Sequence, residues 1–415
     1  MQANAIDPAG RVVLVGAGHA AGTAAALLRQ YGWTGPITLL GAEARAPYQR
    51  PPLSKALLLG KLQPEELLLK PLDFYAQKQV GLRTGCRVLA IERAARHVQL
   101  AGGETVPYDH LVLATGARLR PLVVPGSDLA GVLSLRTVDD ALALRGRMRE
   151  GLRVAVVGGG YIGLEAAASA RQLGAEVRVI EREPRLMARV ASGELSEFVA
   201  GYARSRGVQV ELGATVSAFG GEDGRLRSVQ LADGRTFDCD LALVGIGVVA
   251  EQQLAQDAGL PCEDGVLVDE QAATSDPHVS AIGDCTRRPV ALVGAAMRLE
   301  SVHNAVEQAK QVAARLCGRP QPAAEAPWTW SDQFDLRLQV AGFVAPEDEA
   351  VLRGDPASGR FAIFRVSPQG VLRAVEAVNA PLDFAFARMA IGQRLRTPPA
   401  RLRDPAVPLK EVAVA

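Results

Sequence analysis

Gly16, Gly18 and Ala21 near the start of the chain, and Gly158, Gly160 and Gly163 further along, share the spacing of a turn that receives a pyrophosphate. The first glycine of each set permits a tight turn out of a strand, and the second lets phosphate oxygens reach the backbone. The small third residue keeps the following helix close to the sheet. Ala20 in one turn, and Tyr161 and Ile162 in the other, fall on the first helical turn. There the free N–H groups and the positive end of the helix dipole favour an anion. A turn of this kind also calls for an acid at the end of the next strand to hold ribose hydroxyls. Glu181 ends VRVIE, where its charge disfavours a 2′-phosphate and so favours NADH over NADPH. Arg182 and Arg185 argue the other way, because either could accept that phosphate. In the first set the strand end is Gly41-Ala42 and the nearest acid is Glu43, which is either the ribose ligand or a solvated loop acid.

These residues need a βαβ frame, and the chain supplies one twice. Residues 11–43 (RVVLVGAGHAAGTAAALLRQYGWTGPITLLGAE) and 153–181 (RVAVVGGGYIGLEAAASARQLGAEVRVIE) each run from a β-branched stretch through a glycine turn and an Ala/Leu-rich helical stretch to a second β-branched stretch. Two such units suggest two dinucleotides brought face to face, and hydride transfer from a nicotinamide to a flavin is the commonest chemistry needing that arrangement. DHLVLATGARLRPL (109–122) reads as a strand ending in Ala114-Thr115-Gly116, followed by a crossover connection. TSDPHVSAIGDC (274–285) places Gly283-Asp284 after a short apolar run, where the aspartate could hold a flavin's ribityl hydroxyls.

At 415 residues the chain exceeds what one compact core usually serves, so two or three domains are expected. Lys and Arg number 46 against 45 for Asp and Glu, so the net charge of +1 offers no global field for nucleic acid or a membrane surface. Cys86, Cys239, Cys262, Cys285 and Cys317 stand far apart without CxxC or Cys/His clustering, which suggests neither disulfides nor a metal site. The first eight residues lack the pattern of a signal peptide, and the longest near-apolar stretch, Leu241 to Ala250, is too short to cross a bilayer. The expectation is a cytoplasmic protein.

YQRPPLSKALLLGK (48–61), LVLATGA, VVGGGYIGLEAAASA, VGIGV (244–248), the SDP…GDC segment, ESVHNAVEQAK (300–310) and WTWSDQ (328–333) together carry a resemblance over nearly the whole chain. The sequence resembles the FAD-dependent ferredoxin reductases of bacterial oxygenase systems. PRLMARVA and DLRLQVAG are most similar to reductase components of biphenyl-type ring-hydroxylating dioxygenases. The resemblance implies FAD and NADH as cofactors. It implies that Lys55 lies near the flavin N5 edge and that Glu165 meets both this lysine and the nicotinamide carboxamide. Arg50 and Arg136 would approach the flavin phosphates or adenine, and the Val88 backbone would meet the adenine. Asp284 and Val302 would contact the ribityl chain and flavin ring, Gly247 the NAD, and Trp330 the exposed flavin edge. Without the resemblance, Lys55 reads as a helix-surface lysine, Glu165 as a solvated helix position and Trp330 as a core tryptophan. The sequence departs from the family pattern at Ala42, where an acid is common, and at His303.

No CxxC or CxxxxC is present, and the first cysteine, Cys86, falls well after the PPLSK segment. Cys285 follows Asp284 and reads as a small hydrophobe. The electron pair is therefore expected to leave one electron at a time for an external carrier, a [2Fe–2S] ferredoxin serving a ring-hydroxylating dioxygenase or a cytochrome P450. An NADH oxidase or peroxidase-like flavoenzyme, and an apoptosis-inducing-factor-like interaction protein, are the rivals. From residue 326 onward Phe334, Leu336, Leu338 and Val340 alternate as in a half-buried antiparallel strand, and FAIFRV and VLRAVEAV offer two more. Between Ala385 and Arg403 stand Arg388, Arg394, Arg396, Arg401 and Arg403 without one acid, which with Lys310 is either a docking patch for an acidic ferredoxin or a solvated basic face. The expected fold is α/β, with two Rossmann-like dinucleotide-binding domains and an α+β C-terminal domain built on an antiparallel sheet. The expected divisions are 1–117 with 248–325 for FAD, 118–247 for NAD, and 326–415. A monomer or weak homodimer is expected, with no nucleic acid, membrane or metal partner.

Overall fold

The structure, a computed structural model, describes residues 7–413, so the signal-peptide reading of the first residues lies largely outside the described residues. The chain divides into two compact units. One comprises the chain up to Gln49, Glu65–Arg118 and Val249–Ala324, and the other Arg50–Pro64, Leu119–Val248 and Glu325 onward. Nothing in the sequence pattern signals that the short segment Arg50–Pro64 packs with the second unit.

The first unit is built on a five-stranded parallel sheet. Its order is Val279–Ala281, His110–Leu113, Val12–Val15, Ile37–Leu40, Val80–Arg83. Val12–Val15 is aliphatic throughout and buried along its length, as a parallel strand covered on both faces must be. Helix His19–Tyr31 lays Ala21, Ala24, Ala25 and Leu28 on one face of this sheet, and helix Val302–Leu316 joins the same core through Ala305, Ala309, Val312 and Ala313. Small residues on both helices leave room for a close approach. The other sheet face is covered by a core that includes Ile91, Val98 and Leu100 from the three-stranded antiparallel layer of Val88–Glu92, His97–Leu100 and Thr105–Pro107. The strand order reverses direction at Val12–Val15, and ligands of open parallel sheets bind beyond the strand C-termini at such a point.

The second unit repeats the plan in the order Gln209–Leu212, Glu176–Glu181, Arg153–Val157, Leu241–Val244, Val132–Ser134, again all parallel. Helix Tyr161–Gln172 follows the central strand. The unit also holds a five-stranded antiparallel sheet ordered Trp328–Gln333, Leu336–Gly342, Leu372–Val378, Arg360–Val366, Glu349–Asp355, backed by helix Pro381–Gly392. The α/β class with a C-terminal antiparallel sheet is therefore as expected. One detail differs: Gln333 pairs with Leu336, so Phe334 is not in a strand but in a two-residue turn, with φ of 56°. The apolar alternation continues across this hairpin, and no Asn-Gly or Asp-Gly pair marks the turn.

Candidate active site

In the first unit Gly16 has φ of 105°, and a Cβ there would lie 2.2 Å from the Ala114 carbonyl oxygen, so only glycine fits where Ala114-Thr115 crosses the turn. Gly18, the N-cap of helix His19–Tyr31, faces open space: a Cβ there meets nothing within 4 Å. No side chain caps this helix and its first turn carries no acid. Helix N-terminal N–H groups need a partner, and an uncapped terminus with an open backbone in front of it fits a phosphate. Gly283 abuts Ala20, its ideal Cβ only 3.1 Å from the alanine Cβ, and this brings Asp284 to the same helix start. Burial lowers the His19 imidazole below its usual range, and the Asp284 charge partly opposes that shift. The Gly283 N–H donates to Gln308 Oε1 at 2.7 Å, which ties the turn to the helix whose first residue is Val302. Thr115 Oγ1 donates to the Glu251 carbonyl at 2.5 Å, ahead of Gly116. Glu43 accepts the Tyr48 hydroxyl at 2.6 Å, while Ala42 is exposed. Val88 sits half-buried in the separate antiparallel layer, opposite Leu100. The sites expected for FAD in this unit thus converge for Gly16, Gly18, Ala20, Ala21, Ala114, Thr115, Gly116, Gly283 and Asp284.

The second turn has the same construction. A Cβ on Gly158, with φ of 109°, would lie 2.4 Å from the Gly245 carbonyl oxygen, and one on Gly163 would lie 2.1 Å from that of Gly158. Gly160 is an uncapped N-cap opening on free space, and Ile162 beside it is exposed. Glu181 accepts the Gly159 N–H at 2.6 Å and the Glu183 N–H at 2.9 Å, so its carboxylate stands at the mouth of the turn. Of the two nearby arginines, Arg185 is occupied: it donates to the carbonyls of Ala188 and Ala191 at 2.8 and 2.6 Å and to Ser196 Oγ at 2.8 Å. Arg182 points outward and pairs with Glu183 at 3.1 Å. Gly247 lies beside the exposed Arg189, whose Nη2 is 3.1 Å from the glycine's ideal Cβ position. The Tyr161 hydroxyl is buried without a partner, and burial raises its pKa, with Glu376 and Glu165 adding to the shift.

Lys55 and Glu165 meet. The Lys55 Nζ lies 2.9 Å from Glu165 Oε1, with the lysine side chain 17% and the glutamate 2% exposed. The same carboxylate accepts the Ser54 hydroxyl at 2.5 Å and the Ser331 hydroxyl at 2.8 Å, and Ser169 Oγ donates to the Ser54 carbonyl at 2.7 Å. Three donors on one buried carboxylate fix its orientation. Ser331 precedes neither a turn nor a cap; it lies on strand Trp328–Gln333, next to Trp330. The Trp330 and Trp328 rings are 5.5 Å apart, and the Arg388 guanidinium lies 5.7 Å above the Trp328 ring. Arg50 donates to the Arg136 carbonyl at 2.6 Å, so these two expected phosphate or adenine contacts are neighbours. Arg394, Arg396 and Arg401 are exposed, while Arg403 pairs with Glu349 at 3.0 Å. Sequence reasoning missed Ser54, Ser169 and Ser331. The first is adjacent to Lys55 and the last to Trp330, and adjacency was the one available signal.

Cys285 is fully buried, and burial pushes its thiol up, as befits packing rather than reactivity. Among the described residues no group of three or more His, Cys, Asp or Glu side chains could hold a metal ion, and no helix is long and apolar enough to cross a membrane.

The model of the pyridine nucleotide-disulphide oxidoreductase family matches residues 10–309, most of the chain, and that of the reductase C-terminal domain matches residues 328–413. The chain belongs to the pyridine nucleotide-disulphide oxidoreductases. Within this family it is 46% identical to a probable ferredoxin reductase, CtmF, of Castellaniella defragrans, over 97% of this chain and 99% of the relative. Its structure is similar to that of the ferredoxin reductase for the CYP199A2 system of Rhodopseudomonas palustris, with a TM-score of 0.94 and 42% identity over 97% of this chain and 100% of the other. It is also similar to putidaredoxin reductase in its covalent complex with putidaredoxin, with the same TM-score of 0.94 and 38% identity over 97% of this chain and 98% of the other. The resemblance to oxygenase-system ferredoxin reductases read from the sequence holds over the full length of this oxidoreductase.

Proposed function

We propose that this chain is an NADH-dependent ferredoxin reductase that passes electrons, one at a time, to an acidic [2Fe–2S] ferredoxin feeding a ring-hydroxylating dioxygenase or a cytochrome P450. The observation that carries the reading is the buried Lys55–Glu165 pair, held by Ser331 on the strand that also bears Trp330. FAD, when bound, would accept one hydride, a pair of electrons with a proton, from NADH and can release the two electrons singly. The chain's own contribution is binding, orientation and exclusion of water. The turns at Gly16–Ala21 and Gly158–Gly163 would receive the two pyrophosphates, Arg50 and Arg136 would approach the flavin phosphates or adenine, and the Gly247 backbone would approach the NAD. Asp284, Val302, Val88 and Glu43 would hold the rest of the FAD, and Glu165 would fix Lys55 while presenting a carboxylate to the carboxamide.

NADH is favoured over NADPH because Glu181, at the mouth of the second turn, would meet the adenosine ribose, and Arg185 is committed to the loop that follows it. Residues 1–117 and 248–325 would form the FAD domain, 118–247 the NAD domain and 326–415 the domain that meets the ferredoxin, with Arg388, Arg394 and Arg396 on the docking face. The cytoplasm is the compartment this chemistry fits. Anaerobic stopped-flow mixing with NADH and NADPH tests the reading: rapid bleaching of bound flavin by NADH and slow bleaching by NADPH are expected, and no bleaching by either would overturn it.

A further inference from the structure

The loop after Glu181 lies against the second dinucleotide turn. The Met187 N–H donates to the Gly159 carbonyl at 2.9 Å, and the Leu186 side chain covers Gly159, its Cδ2 2.5 Å from the glycine's ideal Cβ position. The far end of this loop is gripped from two sides. Arg185 binds the carbonyls of Ala188 and Ala191 from within. From the C-terminal sheet Glu376, 0% exposed on strand Leu372–Val378, accepts the Ser192 backbone N–H at 2.7 Å. Ser192 in turn caps helix Gly193–Ser205, its Oγ accepting the Leu195 N–H at 3.2 Å. The other Glu376 oxygen stands 3.8 Å from Arg365, which also binds Glu194 at 2.8 Å. Between the two grips sits Arg189, exposed and beside Gly247.

A carboxylate inside a sheet is costly, and an apolar side chain of similar volume would often serve the sheet as well or better. What the carboxylate adds here is a charge-assisted bond to a loop backbone, which an apolar residue cannot make. We propose that Glu376 is a positioning residue for NADH: by fixing Ser192 it sets the 186–192 loop, and with it Arg189, against Gly159, Gly160 and Gly247. Arg189 then offers its guanidinium to the diphosphate of the dinucleotide. The proposal rests on the NADH-dependent reading above, and it makes the C-terminal sheet part of the NADH site.

The test uses the flavin-loaded enzyme with Glu376→Leu, Glu376→Asp, Glu376→Gln and Arg189→Ala. NAD+ affinity is measured by calorimetry, amide exchange is followed across 186–192, and NADH-ferricyanide turnover is measured. Glu376→Leu should raise the NAD+ Kd and the KM for NADH roughly tenfold, the loss of one charge-assisted bond. Its kcat should change by less than about twofold, since the loss is in binding. Amide exchange across the loop should accelerate. Glu376→Gln, which keeps an acceptor for Ser192, should restore most of the affinity, and Arg189→Ala should lose affinity without faster exchange. Should the leucine variant fail to fold, Glu376→Asp, which keeps the charge but retracts it by one methylene, carries the same expectation. Unchanged NAD+ affinity in the foldable variants, with only a lower melting temperature, would overturn the proposal. Wild-type enzyme that bound no NAD+ would instead overturn the NADH-dependent reading.

Discussion

Replacing Glu165 by alanine removes the carboxylate paired with Lys55 and strips two hydroxyls, those of Ser54 and Ser331, of their acceptor. Breaking a buried ion pair on one side costs about 3–5 kcal/mol. Lys55 retains 17% of its exposure and can partly rehydrate, so the lower end, about 3 kcal/mol, is the expected loss of stability. The freed ammonium should also leave its fixed position, and a catalytic group misplaced by about an ångström costs on the order of a hundredfold in rate. Glu165→Gln separates the two effects, since it keeps the volume and one acceptor oxygen but removes the counter-charge. Flavin bleaching by NADH in an anaerobic stopped-flow instrument reads the rate, and thermal melting reads the stability. The expected result is a slowed hydride step in both variants, with most of the stability kept in Glu165→Gln. Bleaching at the wild-type rate in both variants would refute the assignment of this pair to the hydride-transfer edge.

Gly160→Val places its side chain in open space, so the protein should fold with a near-normal melting temperature while NAD+ affinity falls more than about tenfold. Gly158→Ala should instead destabilise the fold, because of its positive φ and the Gly245 carbonyl in its way; a reversed pattern in melting and calorimetry would contradict the two glycine roles. His110 is 1% exposed and bonded to Ser280 at 3.0 Å, and burial holds its imidazole well below the usual range, with Arg315 and His278 adding to the shift. The unfolded chain takes up a proton below about pH 6.5 while the folded one does not, so this contribution is fully present above that pH and lost as pH falls. Melting temperatures from neutral to mildly acidic pH should fall less steeply in His110→Gln, and an unchanged slope would remove His110 from the cause. Arg394→Glu with Arg396→Glu should weaken ferredoxin reduction, most at low salt, and spare ferricyanide reduction by NADH. Equal loss of both activities would exclude docking there.

The parts legible in the sequence are those where geometry dictates residue type at short range. Gly16 and Gly158 must be glycine because a carbonyl fills the place of a Cβ, and that requirement is visible as spacing. The aliphatic strands Val12–Val15 and Leu241–Val244, buried throughout, announce parallel sheets in the same way. Long-range pairings carry no such local mark. Ser54 and Glu165 lie 111 residues apart, and Ser192 and Glu376 lie 184 apart, and only tertiary packing brings them together. Lys55 and Glu165 could be linked beforehand through family resemblance, not through pattern. The commitment of Arg185 to loop carbonyls was also hidden, since a sequence shows a charge but not what it already binds. Phe334 shows the opposite failure, a local pattern continuing through a turn that tertiary pairing imposed.

Electrons are expected to enter from NADH as a pair and to leave singly to an iron–sulfur protein. Anaerobic reduction of cytochrome c by NADH, with and without a cognate [2Fe–2S] ferredoxin, tests this most directly. The account predicts that purified enzyme carries flavin, that reduction depends on the ferredoxin, and that each NADH consumed yields two reduced cytochromes. Enzyme that held no flavin, or reduction equally fast without the ferredoxin, would contradict it.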